Sequence, residues 1–120
     1  MRKVFLGRDT IMVGLFAEKK VVEFDLEGSE VWSVSNTPSA WSVIRLRDGN
    51  TLISGDGQGY TREVNMKGET LWEFTRADAP FTIGNTQTAN RLANGNTVIC
   101  NWIAEIIKPK NGQEQYRCLK

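Results

Sequence analysis

The chain contains no histidine, only two cysteines and three prolines, and almost no excess of charge, and each shortage closes off a class of function. Without histidine there is no Ser-His-Asp or Cys-His nucleophile, no imidazole base and no His-containing metal site. Fifteen Lys and Arg against fourteen Asp and Glu leave a net charge of +1, so no bulk field draws the chain to nucleic acid or an anionic membrane. No apolar stretch approaches the ~18 residues of a membrane-spanning helix. The opening Met1-Arg2-Lys3-Val4-Phe5-Leu6-Gly7 starts like the charged part of an export signal, but Arg8-Asp9 cuts its apolar run short. No signal peptide is read, and the compartment stays open. Cys100 and Cys118 fall in expected strands and read as small buried hydrophobes. A disulfide needs Cα atoms within about 7 Å, and the expected layout puts a strand between them, so two free thiols are expected.

What the chain does have is a repeat. Its 120 residues, 40% hydrophobic and 24% charged, suit one globular domain. Arg45-Leu46-Arg47-Asp48-Gly49-Asn50-Thr51-Leu52-Ile53 recurs as Arg91-Leu92-Ala93-Asn94-Gly95-Asn96-Thr97-Val98-Ile99. A weaker earlier copy runs from Gly7 to Met12, which aligns Ile11 with Leu52 and Met12 with Ile53. A second motif follows each copy. It reads Asp25-Leu26-Glu27-Gly28 to Trp32, then Asn65-Met66-Lys67-Gly68 to Trp72, then Pro109-Lys110-Asn111-Gly112 to Tyr116, with an aromatic at the fourth position after each glycine. A period of roughly 41–46 residues carrying four short strands is the size of one propeller blade.

In the middle copy, Trp41 to Leu46 and Thr51 to Ser54 read as strands around Asp48-Gly49, a pair that suits a two-residue type I′ hairpin turn. Tyr60 to Met66 and Thr70 to Thr75 complete the unit. No window sustains a 3.6-residue apolar period, so essentially no helix is expected. The recurring glycine between third and fourth strands needs positive φ. The aromatic after it belongs in the gap between neighbouring blades, where a large ring fills the space. The expected fold is therefore all-β: propeller blades of four antiparallel strands, just under three of them, at about residues 1–35, 38–75 and 84–120.

The segment Asn65-Met66-Lys67-Gly68-Glu69-Thr70-Leu71-Trp72-Glu73-Phe74 resembles the blade motif of PQQ-like, quinoprotein-type β-propellers. The preceding Leu-x-Asp/Asn-Gly-Asn-Thr segments resemble the related blades of arylsulfotransferase-like repeat proteins. The resemblance covers nearly the whole chain and implies the architecture rather than an activity, since such blades serve dehydrogenases, sulfotransferases, assembly scaffolds and binding modules. Arylsulfotransferases of this kind use a histidine that this chain lacks. The quinoprotein dehydrogenases use an eight-bladed ring with Ca²⁺ and a catalytic Asp. No cofactor and no metal is expected here, and the expectation leans away from an enzyme.

Natural propellers close with four to eight blades, so a run of under three either assembles as a homo-oligomer or belongs with the remaining blades of a longer chain. Ligands of propellers usually bind on one face near the axis. The loops that lead into the first strands and join second strands to third place Trp41, Asp56, Gln58, Asn85, Gln87, Asn101 and Trp102 there. Amides and aromatics together suit a neutral polar ligand such as a carbohydrate, or a protein partner. The plainer reading leaves the amides as partners for backbone groups along a channel wall. Asp56 and Asp78 are the titratable groups expected near that face. Gly55-Asp56-Gly57-Gln58-Gly59 has no helix after it and too few oxygen ligands for Ca²⁺, so it reads as a glycine-rich hairpin. Lys19, Lys20, Glu23, Arg62, Glu63 and Lys67 read as a solvated face. The function expected is a non-catalytic binding scaffold. The alternative is part of a larger propeller enzyme whose catalytic residues lie elsewhere.

Overall fold

The computed structural model describes residues 9–56, 61–78 and 85–102. They form nine strands: β1 (Thr10–Leu15), β2 (Lys20–Asp25), β3 (Glu30–Ser35), β4 (Ser39–Arg45), β5 (Thr51–Asp56), β6 (Thr61–Val64), β7 (Thr70–Phe74), β8 (Asn85–Arg91) and β9 (Thr97–Trp102). One 3₁₀ turn, Arg76–Asp78, follows β7. The strands make three antiparallel sheets in plain sequence order, β1-β2-β3, β4-β5-β6-β7 and β8-β9. The chain is thus all-β among the described residues. Cys118 and Tyr116 lie outside them, and Cys100 is a free, exposed thiol rather than a buried one.

The strands alternate, but both faces of the middle sheet are apolar, and each covers a neighbour. Val21 and Val34 of the first sheet pack with Ala40, Ile53 and Val64 of the second, with Met12, Trp32 and Val43 around them. On the other face Leu46 and Leu52 pack with Ala89 and Ile99 of the third sheet, beside Ile44, Trp72 and Phe74. Each large side chain so buried contributes about 1.5–3 kcal/mol. Trp32 and Trp72 therefore stand between successive sheets. The Trp32 indole Nε1 donates to the Met66 carbonyl, 2.8 Å away on the second sheet.

The glycine-marked hairpins are all of one type. Leu46 N bonds Asn50 O at 2.7 Å and Gly49 N bonds Leu46 O at 3.0 Å, a three-residue loop in which glycine ends a type I turn. Leu92–Asn96, Asp25–Ser29 and Asn65–Glu69 repeat the pattern. Gly28, Gly49, Gly68 and Gly95 have φ between +85° and +97°. The two-residue type I′ turn expected at Asp48-Gly49 is therefore not formed. Only the glycine takes positive φ, and Asp48 stays right-handed with its carboxylate accepting from Asn50 N at 3.0 Å. Asp25 and Asn65 do the same work from two residues earlier in their loops, each accepting two backbone N–H groups ahead of it.

An ion pair recurs between sheets. Arg45 of β4 reaches Glu23 of β2 at 2.8 Å, and Arg91 of β8 reaches Glu63 of β6 at 2.8 Å. Glu23 also accepts from Thr10, and Glu63 from Asn50. The Arg45 guanidinium lies over the Trp32 ring, 4.8 Å from its centroid. Glu23 and Glu63 are thus not part of a merely solvated face. Each stands beside its tryptophan in the register, Glu23 against Trp32 and Glu63 against Trp72. Arg62 is also engaged, with Glu73 at 3.0 Å and the Asn36 carbonyl at 2.7 Å. The registers refine the repeat as well. Met12 pairs with Glu23 and Leu52 with Glu63, so Met12 is the counterpart of Leu52 rather than of Ile53.

Two outcomes follow for stability, both read by urea denaturation. An added Cβ at Gly49 meets nothing within 4 Å, so Gly49→Ala isolates the cost of positive φ, expected at about 1–2 kcal/mol. Glu63→Gln keeps the shape but strips the charge from a hydrogen bond to Arg91, with an expected loss of about 2 kcal/mol.

Candidate functional site

The residues singled out in the sequence gather at one end of the second and third sheets. Asp56, the last residue of β5, pairs with Ser39, the first of β4. Trp102, the last of β9, pairs in the same way with Asn85, the first of β8. Asn101 is opposite Thr86, as Gly55 is opposite Ala40. Gln58 and Tyr60 lie outside the described residues.

A β-bulge stands at the same place in both sheets. Ala40 pairs with Gly55 and Ser42 with Ser54, which leaves Trp41 as the extra residue of β4. Thr86 pairs with Asn101 and Thr88 with Cys100, which leaves Gln87 as the extra residue of β8. A bulge bends its strand and re-aims a side chain, and bulges concentrate at sheet rims beside binding sites. At the first bulge the backbone approach is tight: a Cβ on Gly55 would run into the Ser39 carbonyl group, so only glycine fits there. The next sheet is tied to this point, since the buried Thr86 hydroxyl donates to the Gly55 carbonyl at 3.1 Å.

Trp41 is 54% exposed despite its size. Its ring meets Phe16, from the β1–β2 turn, edge to face at 5.1 Å between centroids. Phe16 was not among the residues picked out in the sequence, although an aromatic in the short turn Phe16-Ala17-Glu18-Lys19 was a visible signal. The pair forms an aromatic shelf held by two adjacent sheets, and such a shelf can stack against a flat or apolar ring face. Asp78 does something else. Its carboxylate accepts from Thr75 N at 2.8 Å and from the Thr75 hydroxyl at 3.2 Å, which closes the turn after β7.

At the other end of the sheets the Arg45–Asp48 and Asn90–Ala93 segments, with Ile44, line an open cleft of about 710 Å³. Among the described residues no group of three or more His, Cys, Asp or Glu could hold a metal ion. No helix among them is long and apolar enough to cross a membrane.

No protein-family model and no curated protein matches the chain. A solved structure does: the crystal structure of a protein of unknown function from Bacteroides caccae superposes with a TM-score of 0.68 at 24% identity. The match covers 79% of this chain and 35% of that one, so this chain spans about a third of the length of its structural neighbour. The likeness is one of fold alone.

Because Trp41 is exposed and contacts the rim rather than either core cluster, Trp41→Ala is expected to cost less than about 1 kcal/mol in a urea melt, with the sheet signal in circular dichroism unchanged.

Proposed function

We propose that the chain is a run of β-propeller blades of the PQQ-like kind, serving as a non-catalytic scaffold that binds a neutral polar ligand at the rim where β4 and β8 begin. The observation that carries this reading is the repeated bulge, which puts Trp41 and Gln87 at one place in successive sheets and leaves Trp41 exposed against Phe16. A bulge kept at one place in two units whose residues there differ, Trp41 and Gln87, fits a role for the backbone shape of that rim. Around it stand the amide residues Asn85 and Asn101, together with Asp56 and Trp102 at the ends of the second strands. Rings that stack and amides that hydrogen-bond are what a carbohydrate needs from a protein. The strictly sequential sheets, and their stacking through Trp32 and Trp72, support the propeller part of the reading. Further blades, from a second copy or from a longer chain, complete it.

The test is a tryptophan-fluorescence titration with a panel of neutral polysaccharides. A saturable change is expected for at least one member, lost in Trp41→Ala and nearly intact in Asp56→Asn. A flat response across the panel, or one that survives Trp41→Ala, removes the carbohydrate reading. A response lost in Asp56→Asn points instead to a site that depends on the carboxylate.

A further inference from the structure

Among the described residues two that are not glycine hold positive φ, Lys19 at 51° and Asn36 at 58°. Asparagine tolerates this region of backbone space, but a lysine seldom enters it unless its surroundings impose it. Both corners belong to one joint. Lys19 ends the turn that carries Phe16, its N–H donating to the Phe16 carbonyl at 3.3 Å. Asn36 opens the linker that leads through Thr37 and Pro38 into β4, and so to Trp41. The Lys19 carbonyl accepts from Thr37 N at 3.0 Å, which ties the turn to the linker. Thr37 and Pro38 are both buried at this tie.

The joint is gripped from the second sheet. Arg62 of β6 donates from Nη1 to the Asn36 carbonyl at 2.7 Å, and from Nε to Glu73 Oε1 at 3.0 Å. The repeat does not account for this arginine. Val22 holds the same place in the first sheet, one residue before the glutamate that faces the tryptophan, and it pairs with Ser33 where Arg62 pairs with Glu73. Val22 is buried like any core residue. What sets Arg62 apart is the Asn36 carbonyl in front of it. A charge-assisted hydrogen bond to that carbonyl, from an arginine braced by Glu73, fixes the linker in place. Strained backbone corners persist where their surroundings over-determine them, and they collect at ligand clamps.

We propose that Arg62 is a positioning residue for the rim: acting through the Asn36 carbonyl and the Lys19–Thr37 hydrogen bond, it holds Phe16 edge to face on Trp41. The contacts run from Arg62 to Asn36, across Thr37 to Lys19, and back along the turn to Phe16. From Asn36 the linker also runs forward to Trp41, so one guanidinium bears on both rings. A shelf assembled before the ligand arrives spares binding the cost of ordering two aromatic side chains. The use of the shelf rests on the reading above, whereas the way it is held can be read without a ligand.

Fluorine NMR of the chain labelled with fluorotryptophan tests it, the Trp41 resonance being assigned by Trp41→Phe. Phe16→Ala gives the position of that resonance with the partner ring removed. Arg62→Met is expected to move it at least half of the way there, and Arg62→Lys, which restores a donor, to return it in part. Glu73→Gln keeps an acceptor for Nε and should leave the resonance in place. In the polysaccharide titration, Arg62→Met should weaken a saturable response by about fivefold or more. Should Arg62→Met fail to fold, Asn36→Val sets a β-branched residue at the positive-φ corner and is expected to move the Trp41 resonance likewise. A resonance that stays in place in the folded variant, or that moves as far in Glu73→Gln, overturns the proposal. So does a saturable response that Arg62→Met leaves unchanged. A panel that is flat throughout removes the carbohydrate reading alone, since the Trp41 resonance still reports how the shelf is held.

Discussion

A part-buried ion pair, from an arginine at the end of one sheet's first strand to a glutamate in the middle of the sheet before it, fixes how successive sheets meet. Arg45 with Glu23 and Arg91 with Glu63 make the same contact at the same depth, each next to a tryptophan that fills the space between the sheets. Apolar burial supplies most of the free energy of stacking, but it is non-directional and would tolerate a sheet slid along its neighbour. A guanidinium that must meet a carboxylate at 2.8 Å does not tolerate this, because a slip would leave both charges desolvated and unpaired. The two interfaces are not identical in detail. Arg91 Nε donates to Thr97 Oγ1 at 2.9 Å, whereas the corresponding Arg45 Nε and Thr51 Oγ1 are both buried and without partners. At the first interface Arg45 leans instead toward the Trp32 ring and the Met66 sulfur.

The strand order and the hairpins were legible because their signals are local. A glycine that must take positive φ, an Asp or Asn able to bond the next amides, and a short alternating run each declare themselves within a few residues. The type of turn at Asp48-Gly49 was not so legible. A two-residue and a three-residue loop share that dipeptide, and which one forms depends on whether Leu46 pairs with Asn50 across the strands. The ion pairs were missed for a related reason. Glu23 and Glu63 look like surface charges when read along their own strands, and only the next sheet reveals their partners. Their recurrence, in step with that of Arg45 and Arg91, was the available clue.

The rim residues were placed at one end of the sheets by counting along the repeat, and the registers put Trp41, Asp56, Asn85, Gln87, Asn101 and Trp102 at that end. What counting could not give was the bulge. An extra residue in one strand is defined only against the strand it pairs with, so neither Trp41 nor Gln87 carries a mark of it in the sequence. Phe16 was a different case: an aromatic in a short turn was visible in the sequence, but its contact with Trp41 was not, since the two belong to different sheets.

Gly14 carries a further consequence. A Cβ at this position would lie 2.8 Å from the Ala40 methyl, so the first and second sheets touch here with the smallest side chains available. Because each sheet is built of strands consecutive in sequence and, among the described residues, the first sheet packs on the second and the second on the third, the chain has the coupling of a one-dimensional array, with order passed from each unit to the next. In such an array the centre is shielded and the ends open first. Amide protons of β5 and β6 should then exchange with solvent most slowly, and a cavity or clash at the Gly14–Ala40 contact would uncouple the first sheet from the rest without melting the other two.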